Sequence, residues 1–255
     1  MENTRVKDIV EAVGGTLLCG DPETPIAHIS IDSRTMKGQD LFVPIIGEKV
    51  DAHRFIGQAF EQGAAAAFTS RHDRMESDRP WIQVEDTRAA LQALGAWYRG
   101  RMKLPLVGIT GSVGKTTTRE MIAAALGAGF SVYKTPGNSN SQVGVPITIT
   151  EIPPDAQIGV IELGMSEPGE MTRIAKVAQV DQAVMTNIGV AHIEQLGSRE
   201  NILAEKLHIQ DGMKEGGILY VNGDDDLLKN VKAWPGCRTI IYGTGPDSDY
   251  RGEEI

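Results

Sequence analysis

The stretch GITGSVGKTTT, residues 108–118, follows the apolar run LPLV and precedes the helix-forming run REMIAAALGAG. Its glycines let the backbone turn so that successive N–H groups and the start of the helix point at one spot. This context is typical of phosphate binding, although the strict spacing G-x-x-x-x-G-K-[ST] would need glycine where Ile109 stands. The simpler alternative is a glycine-rich turn with a surface lysine. We predict a nucleotide site made by Gly111, Ser112, Gly114, Lys115, Thr116 and Thr117.

Two of these side chains have distinct predicted roles. Lys115 reaches the β- and γ-phosphates, and the Thr116 hydroxyl binds the Mg²⁺ ion that accompanies the nucleotide. The phosphate loop by itself predicts a nucleoside triphosphate, not a reaction.

Strand and helix patterns alternate along the whole chain. Beyond the loop, the runs IGVIELG, QAVMTNIG, GGILYVN and RTIIYG are rich in Val and Ile, and helical patterns such as EMTRIAKVAQ lie between them. Strands buried on both faces indicate a mostly parallel sheet flanked by helices. The first hundred residues alternate in the same way, with shorter runs such as TLLC, DLFVPII and AAAAFTS. The sequence therefore predicts an α/β protein.

A domain boundary is expected near RMKLP, where a helix pattern stops before Pro105 and a new strand begins. We predict a small N-terminal α/β domain at 1–103 and a P-loop domain at 104–255. Because the polar end GPDSDYRGEEI has no obvious final helix, we expect the second domain to be incomplete and the natural protein to be longer.

Composition restricts the partners. The 255 residues include 25 Lys and Arg against 34 Asp and Glu, a net charge of −9, which argues against a broad nucleic-acid or anionic-lipid surface. Cys19 and Cys237 lie far apart and form no C-x-x-C pair, so a disulfide framework or thiolate metal site is not expected. With no export signal and no apolar run of about 20 residues, we expect a cytoplasmic protein.

Three polar residues follow apolar strands or lie on the next helix. Glu162 ends the run IGVIE, where a buried carboxylate needs a cation such as Mg²⁺, or else caps the next helix. His192 lies past QAVMTNIG, and Lys206 lies in the helical pattern ENILAEKL. Taken alone, His192 is more often expected to be a structural histidine, and Lys206 a solvated surface lysine.

The order of these motifs resembles the Mur ligases, ATP-dependent enzymes that form the amide bonds of the peptidoglycan stem peptide. The similar segments are TGSVGKTTT (110–118), TPGNSNSQVGVPIT (135–148), IELGMSEPGEM (161–171), TNIGVAHIEQLGS (186–198) and AEK (204–206), together with IDSR (31–34) in the first domain. The resemblance spans almost the whole chain. It implies an N-terminal UDP-muramoyl-binding domain and a central ATP-binding domain, without the family's C-terminal domain.

The resemblance also assigns residues. It implies that His192 binds Mg²⁺ and that Lys206, carbamylated by CO₂, binds a second Mg²⁺, so that both act with Lys115 in catalysis. It places Asn138 near the γ-phosphate and Asn222 near the adenine, although a turn-forming asparagine explains Asn222 almost as well. Ser33 and Arg34 would contact the UDP-sugar, and Arg34 could equally form a surface ion pair.

Within the family, the motifs most resemble the ligase that joins D-alanyl-D-alanine to UDP-N-acetylmuramoyl-tripeptide through an acyl phosphate. The implied ligands are these two substrates, ATP and Mg²⁺, and a monomer is expected. Two alternatives stay open: the ligase that adds the third, diamino acid, residue of the stem, and a truncated module that binds nucleotide or UDP-sugar without catalysis.

Overall fold

The computed structural model describes residues 1–75 and 78–254, and it divides the chain into two compact units. The first unit contains Met1–Arg101 and the separate segment Ile149–Pro154, and the second contains Met102–Thr148 and the chain from Asp155 onward. The sequence offers no local signal for the return of residues 149–154 to the first unit. No helix in the described ranges is long and apolar enough to cross a membrane.

The first unit is built on a five-stranded sheet of order β1-β5-β4-β3-β2, in which only the β1–β5 pair is antiparallel. Its strands are β1 Thr16–Cys19, β2 His28–Ser30, β3 Asp40–Phe42, β4 Ala64–Thr69 and β5 Trp81–Gln83. The helices are α1 Val6–Val13, α2 Ile56–Glu61 and α3 Thr87–Gly100. Helix α1 ends where Gly14 adopts a φ of 62°, a left-handed conformation that glycine tolerates.

The second unit is built on a seven-stranded sheet of order β12-β11-β10-β9-β6-β8-β7, with every pair parallel. Its strands are β6 Leu106–Thr110, β7 Val132–Lys134, β8 Ile158–Glu162, β9 Gln182–Met185, β10 Ile218–Asn222, β11 Arg238–Gly243 and β12 Tyr250–Arg251. The helices that follow its strands are α4 Lys115–Leu126, α6 Glu170–Ala178, α7 Ile193–Leu196 and α8 Arg199–Leu207. The predicted α/β fold with a mostly parallel, helix-flanked sheet is confirmed.

The sheet order determines where a ligand can bind. Strand β6 lies between β8 and β9, although the chain visits the edge strand β7 first. The carboxyl ends of β6, β8 and β9 therefore meet at the point where the chain changes sides, which is the usual ligand position in open α/β sheets.

Two α-helices were not anticipated from the sequence, the short α7 and the longer α5. Helix α5 spans Gly144–Thr150, with Pro146 in its first turn and β-branched residues beyond it. Proline is tolerated in a first turn because the N–H groups there lack helical partners, but the composition resembles a strand.

Candidate functional site

The phosphate loop joins the end of β6 to the start of α4. Gly111 has a φ of 150° and Gly114 a φ of 82°, both in a region that L side chains rarely adopt. A Cβ on Gly111 would lie 1.9 Å from the Thr186 hydroxyl oxygen. Glycine is thus required at position 111 by conformation and by space.

The end of β9 holds the loop in this shape. The Asn187 backbone carbonyl accepts a hydrogen bond from the Ser112 N–H at 3.0 Å, and its side-chain Oδ1 accepts from the Val113 N–H at 3.0 Å. The Thr186 hydroxyl donates to the Val113 carbonyl at 2.6 Å. Sequence reasoning missed both residues, although their position just after a buried strand was the available signal.

Lys115 folds back over the loop. Its Nζ donates to the Gly111 carbonyl at 2.8 Å. Burial lowers the pKa of the Lys115 amine, and the nearby Glu162 carboxylate opposes that shift. The hydroxyl oxygens of Thr110, at the end of β6, and of Ser112, in the loop, are buried and have no hydrogen-bond partner in the described part of the chain.

Glu162, at the end of β8, is fully buried. Its Oε2 accepts long hydrogen bonds of 3.4 Å from the Thr116 hydroxyl and from the Asn140 amide. Its Oε1 lies 2.9 Å from NH1 of Arg119, a distance that makes an ion pair. The angles at that contact do not make a hydrogen bond, and Oε1 has none within the described residues. Arg119 and Asn140 are therefore neighbours of the carboxylate that sequence reasoning missed.

His192 begins α7 in a left-handed conformation, with a φ of 66°. The residue is exposed overall, but partial desolvation is the largest cause that lowers the pKa of its imidazole. The positive charges of Lys206 and Lys115 lower that pKa further, and Glu170 opposes them. His192 thus lies within electrostatic range of both lysines.

Lys206 is 1% exposed, contrary to the surface position that its sequence context favours. Burial is the main cause that lowers the pKa of its amine to about 7; Lys115 adds to the shift and Glu205 opposes it. No hydrogen bond or ion pair of the Lys206 amine occurs among residues 1–75 and 78–254. A substantial fraction of this amine is neutral at pH 7.

The predicted metal ligands are only partly brought into contact. Thr116 and Glu162 touch, whereas His192 and Lys206 are linked to the loop only by the charge of Lys115, which lowers the pKa of both side chains. The described chain has no group of three or more His, Cys, Asp and Glu residues suited to a metal. The residues nevertheless fit Mg²⁺, because a hydroxyl oxygen and a buried carboxylate are hard oxygen ligands beside a phosphate loop.

The other predicted residues lie in varied settings. Thr117 and Asn138 are exposed. The Asn222 side chain donates to the Thr186 carbonyl at 3.0 Å and accepts from the Asp224 N–H at 3.0 Å, which is the turn-forming arrangement. Its contact with adenine stays a prediction.

In the first unit, Ser33 is buried and its hydroxyl donates to Gln58 Oε1 at 3.1 Å. The Arg34 guanidinium donates twice to the Asp32 carboxylate, at 2.8 and 2.7 Å, and is largely exposed. These hydrogen bonds lower the pKa of Asp32 to about 2, so the pair stays charged at neutral pH. Contact of Ser33 and Arg34 with a UDP-sugar stays a prediction.

Residues 109–255 match the model of the Mur ligase middle domain, and residues 25–99 match the model described as the Mur ligase family catalytic domain. The chain belongs to the Mur ligase family. The two matches cover the phosphate loop, Glu162, His192 and Lys206 in one segment and the IDSR element in the other.

Curated Mur ligase relatives are UDP-N-acetylmuramoyl-tripeptide–D-alanyl-D-alanine ligases. The relative from Bacillus subtilis is 42% identical over 252 residues, which are 98% of this chain and 54% of that protein. The relative from Escherichia coli is 35% identical over 257 residues, covering 100% of this chain and 56% of that protein. The chain thus spans about half the length of the curated relatives it matches.

Solved Mur ligase structures have the same fold. A crystal structure of MurF from Acinetobacter baumannii aligns with a TM-score of 0.89 and 31% identity, over 98% of this chain and 55% of that chain. MurF from Thermotoga maritima in complex with ADP aligns with a TM-score of 0.76 and 35% identity, over 87% of this chain and 51% of that chain.

Proposed function

We propose that this chain carries the ATP-binding and UDP-muramoyl-binding parts of a UDP-N-acetylmuramoyl-tripeptide–D-alanyl-D-alanine ligase. The observation that carries the proposal is the phosphate loop, with Lys115 folded back onto the Gly111 carbonyl and the Thr116 hydroxyl 3.4 Å from the buried Glu162 carboxylate. Relatives that align over 98–100% of this chain are named for this ligase activity, and a similar solved structure, MurF from Thermotoga maritima, holds ADP.

ATP binds at the phosphate loop of the second unit. The N–H groups in the first turn of α4 donate to the phosphate oxygens, and the helix dipole favours their negative charge. Lys115 then leaves the Gly111 carbonyl and pairs with the β- and γ-phosphates. Burial disfavours the protonated form of Lys115, and a negatively charged phosphate beside the amine offsets that effect. Nucleotide binding therefore favours the protonated form.

Mg²⁺ would be held by Thr116, Glu162 and His192, and a second Mg²⁺ would be held by Lys206 once it is carbamylated. Bound there, Mg²⁺ would neutralise phosphate charge and polarise the oxygens of the transferred phosphoryl group. For Lys206 to serve, its neutral amine attacks the carbon of CO₂ and loses a proton, which gives an anionic carbamate. The pKa of about 7 and the absence of a partner for this amine in the described chain support that step.

The reaction proceeds in two transfers. A carboxylate oxygen of the muramoyl tripeptide forms a bond to the γ-phosphorus of ATP as the bond to ADP breaks, which gives an acyl phosphate. The amine of D-alanyl-D-alanine then attacks the acyl carbon, loses a proton and expels phosphate. The first step brings two anions together, and both steps develop negative charge on oxygen, so the cationic Lys115 and the amides at the start of α4 stabilise that charge.

The first unit supplies the UDP-muramoyl site, with Ser33 and Arg34 as contacts. The ion pair with Asp32 orients the Arg34 guanidinium, while its exposure leaves donors for a diphosphate. ATP and a UDP-linked precursor are cytoplasmic metabolites, which makes the cytoplasm the proposed location.

Phosphate release from ATP tests the proposal. With UDP-N-acetylmuramoyl-tripeptide present, we expect turnover that depends on D-alanyl-D-alanine and is abolished by Lys115→Ala, with unchanged circular dichroism as the evidence of folding. Lys176→Ala, at an exposed lysine of α6, is the control. Dependence on a diamino acid would indicate the ligase for the third stem residue, and intact ATP binding without turnover would indicate a binding module. Wild-type-like turnover in Lys115→Ala would contradict the assigned phosphate site.

A further inference from the structure

Arg119 lies one turn into α4 beyond the phosphate loop and is 5% exposed. Its NH1 donates to the Gly137 carbonyl at 2.9 Å and lies 2.9 Å from Glu162 Oε1. Its Nε and NH2 donate to Glu120 Oε1 at 3.1 and 2.5 Å. One guanidinium therefore joins the loop helix, the segment that carries Asn138 and the carboxylate at the end of β8.

The two oxygens of Glu162 face different partners. Oε1 is buried against the Arg119 cation, whereas Oε2 lies beside Thr116 and Asn140. The two hydrogen bonds to Oε2, both 3.4 Å, are long and weak, so a cation can replace them at little cost. A cation can reach Oε1 only by displacing a buried arginine, which would leave the Gly137 carbonyl without its donor.

This difference matters for the choice of metal. Mg²⁺ demands near-octahedral geometry at about 2.0–2.1 Å and takes few protein oxygens, whereas Ca²⁺ accepts six to eight oxygens at about 2.3–2.6 Å and often takes both oxygens of one carboxylate. A carboxylate with one oxygen held by a cation is suited to the smaller ion.

We propose that Arg119 is a specificity-determining positioning residue, which holds Glu162 Oε1 so that only Oε2 is offered to a divalent cation and Mg²⁺ is favoured over Ca²⁺. The inference rests on the proposed function, because it assumes that a metal–nucleotide complex binds beside Thr116. It adds a preference for Mg²⁺ over Ca²⁺ that the oxygen ligands of Thr116 and Glu162 alone do not provide.

Metal selectivity in binding, not in turnover, tests the inference. A fluorescent ADP analogue is bound to the whole polypeptide and titrated with MgCl₂ or CaCl₂, and the ratio of the two apparent dissociation constants is compared between variants. We expect Arg119→Met to shift that ratio toward Ca²⁺ by roughly tenfold, since the outer partners of metal ligands contribute about 10- to 100-fold to affinity. A purely structural defect would weaken both metals alike and leave the ratio unchanged.

Three further variants make the result decisive. Arg119→Gln keeps a donor for the Gly137 carbonyl without the charge, so it should shift the ratio in the same direction and carries the test if Arg119→Met does not fold. Arg119→Lys keeps the charge and should stay within about twofold of the wild type. Lys134→Met, which breaks the neighbouring exposed ion pair with Glu120, is the matched control and should change nothing.

The outcomes separate the two proposals. The inference would be overturned if both Arg119→Met and Arg119→Gln kept the wild-type ratio of the two apparent dissociation constants. It would also be overturned if Arg119→Lys shifted this ratio as much as Arg119→Met does. In either case metal-dependent nucleotide binding by the wild type would leave the proposed function standing. If the wild-type chain binds no nucleotide with either metal, both proposals are wrong.

Discussion

Replacing Lys206 by methionine should stabilise the protein at neutral pH. The amine is 1% exposed, and the pKa is lowered from 10.5 to about 7, chiefly by burial and then by Lys115. Each unit of difference between the pKa in the folded chain and the pKa in the unfolded chain corresponds to about 1.4 kcal/mol. The lowered pKa of Lys206 therefore costs at most about 5 kcal/mol of folding free energy. Methionine has a similar length and no charge to desolvate.

The sign of the pH dependence follows from proton binding. Between pH 7 and 10.5 the unfolded chain keeps Lys206 protonated while the folded chain increasingly does not, so wild-type stability rises with pH across this window. Lys206→Met has no titrating amine at this position, so its stability does not rise with pH for this reason. The gain in its free energy of unfolding over the wild type should therefore be greatest at or below pH 7, about 1–5 kcal/mol. The gain should decline as the pH approaches 10.

Urea denaturation at pH 7 and pH 9.5 measures both quantities. The buffers must be free of CO₂, because carbamylation would change the charge of the wild-type side chain. Lys176→Met, at an exposed lysine of α6, is the control and should show neither a gain at pH 7 nor a pH-dependent difference. If Lys206→Met is destabilised equally at both pH values, the burial argument is wrong.

Substitutions at three other positions test the phosphate loop and the predicted UDP-muramoyl contact. Gly111→Ala should cost about 1–3 kcal/mol of stability in urea denaturation and weaken ADP binding at least tenfold, because its Cβ meets the Thr186 hydroxyl in a strained conformation; normal affinity would show that the loop is not held as described. Asn187→Ala removes the amide oxygen that accepts from the loop, so ADP affinity should fall, whereas Asn187→Asp keeps an acceptor and should bind more tightly than the alanine variant in the same titration. Arg34→Ala should leave the melting temperature unchanged, since the side chain is exposed, but should weaken binding of the UDP-muramoyl substrate in calorimetry; unchanged affinity would remove Arg34 from the site.

The sequence predicted the features that depend on local patterns. The loop from Gly111 to Lys115 could be recognised because glycines, a lysine and the flanking strand and helix are contiguous. The parallel sheet could be predicted because its strands are apolar on both faces. The order of strands follows from neither signal, and it is this order that brings β8 and β9 alongside β6.

The unpredicted features depend on contacts between distant residues. Arg119 is an ordinary helical arginine until β8 brings Glu162 to it, and Asn187 supports the loop only because β9 pairs with β6. Lys206 is the clearest case, since the pattern ENILAEKL suggests a surface lysine, whereas the fold buries it. Helix α5 was missed because Pro146 and its β-branched neighbours disfavour a helix in isolation.

The short segment Ile149–Pro154 has a practical consequence for anyone who wishes to dissect the molecule. It belongs to the first unit but is encoded within the second, and its Ile149 and Ile152 side chains are buried. A gene truncated after residue 101 would omit this piece, and one started at residue 102 would carry it away from the residues it packs with. Neither unit can be obtained with a single stop or start codon alone, because each consists of two separate stretches of the chain.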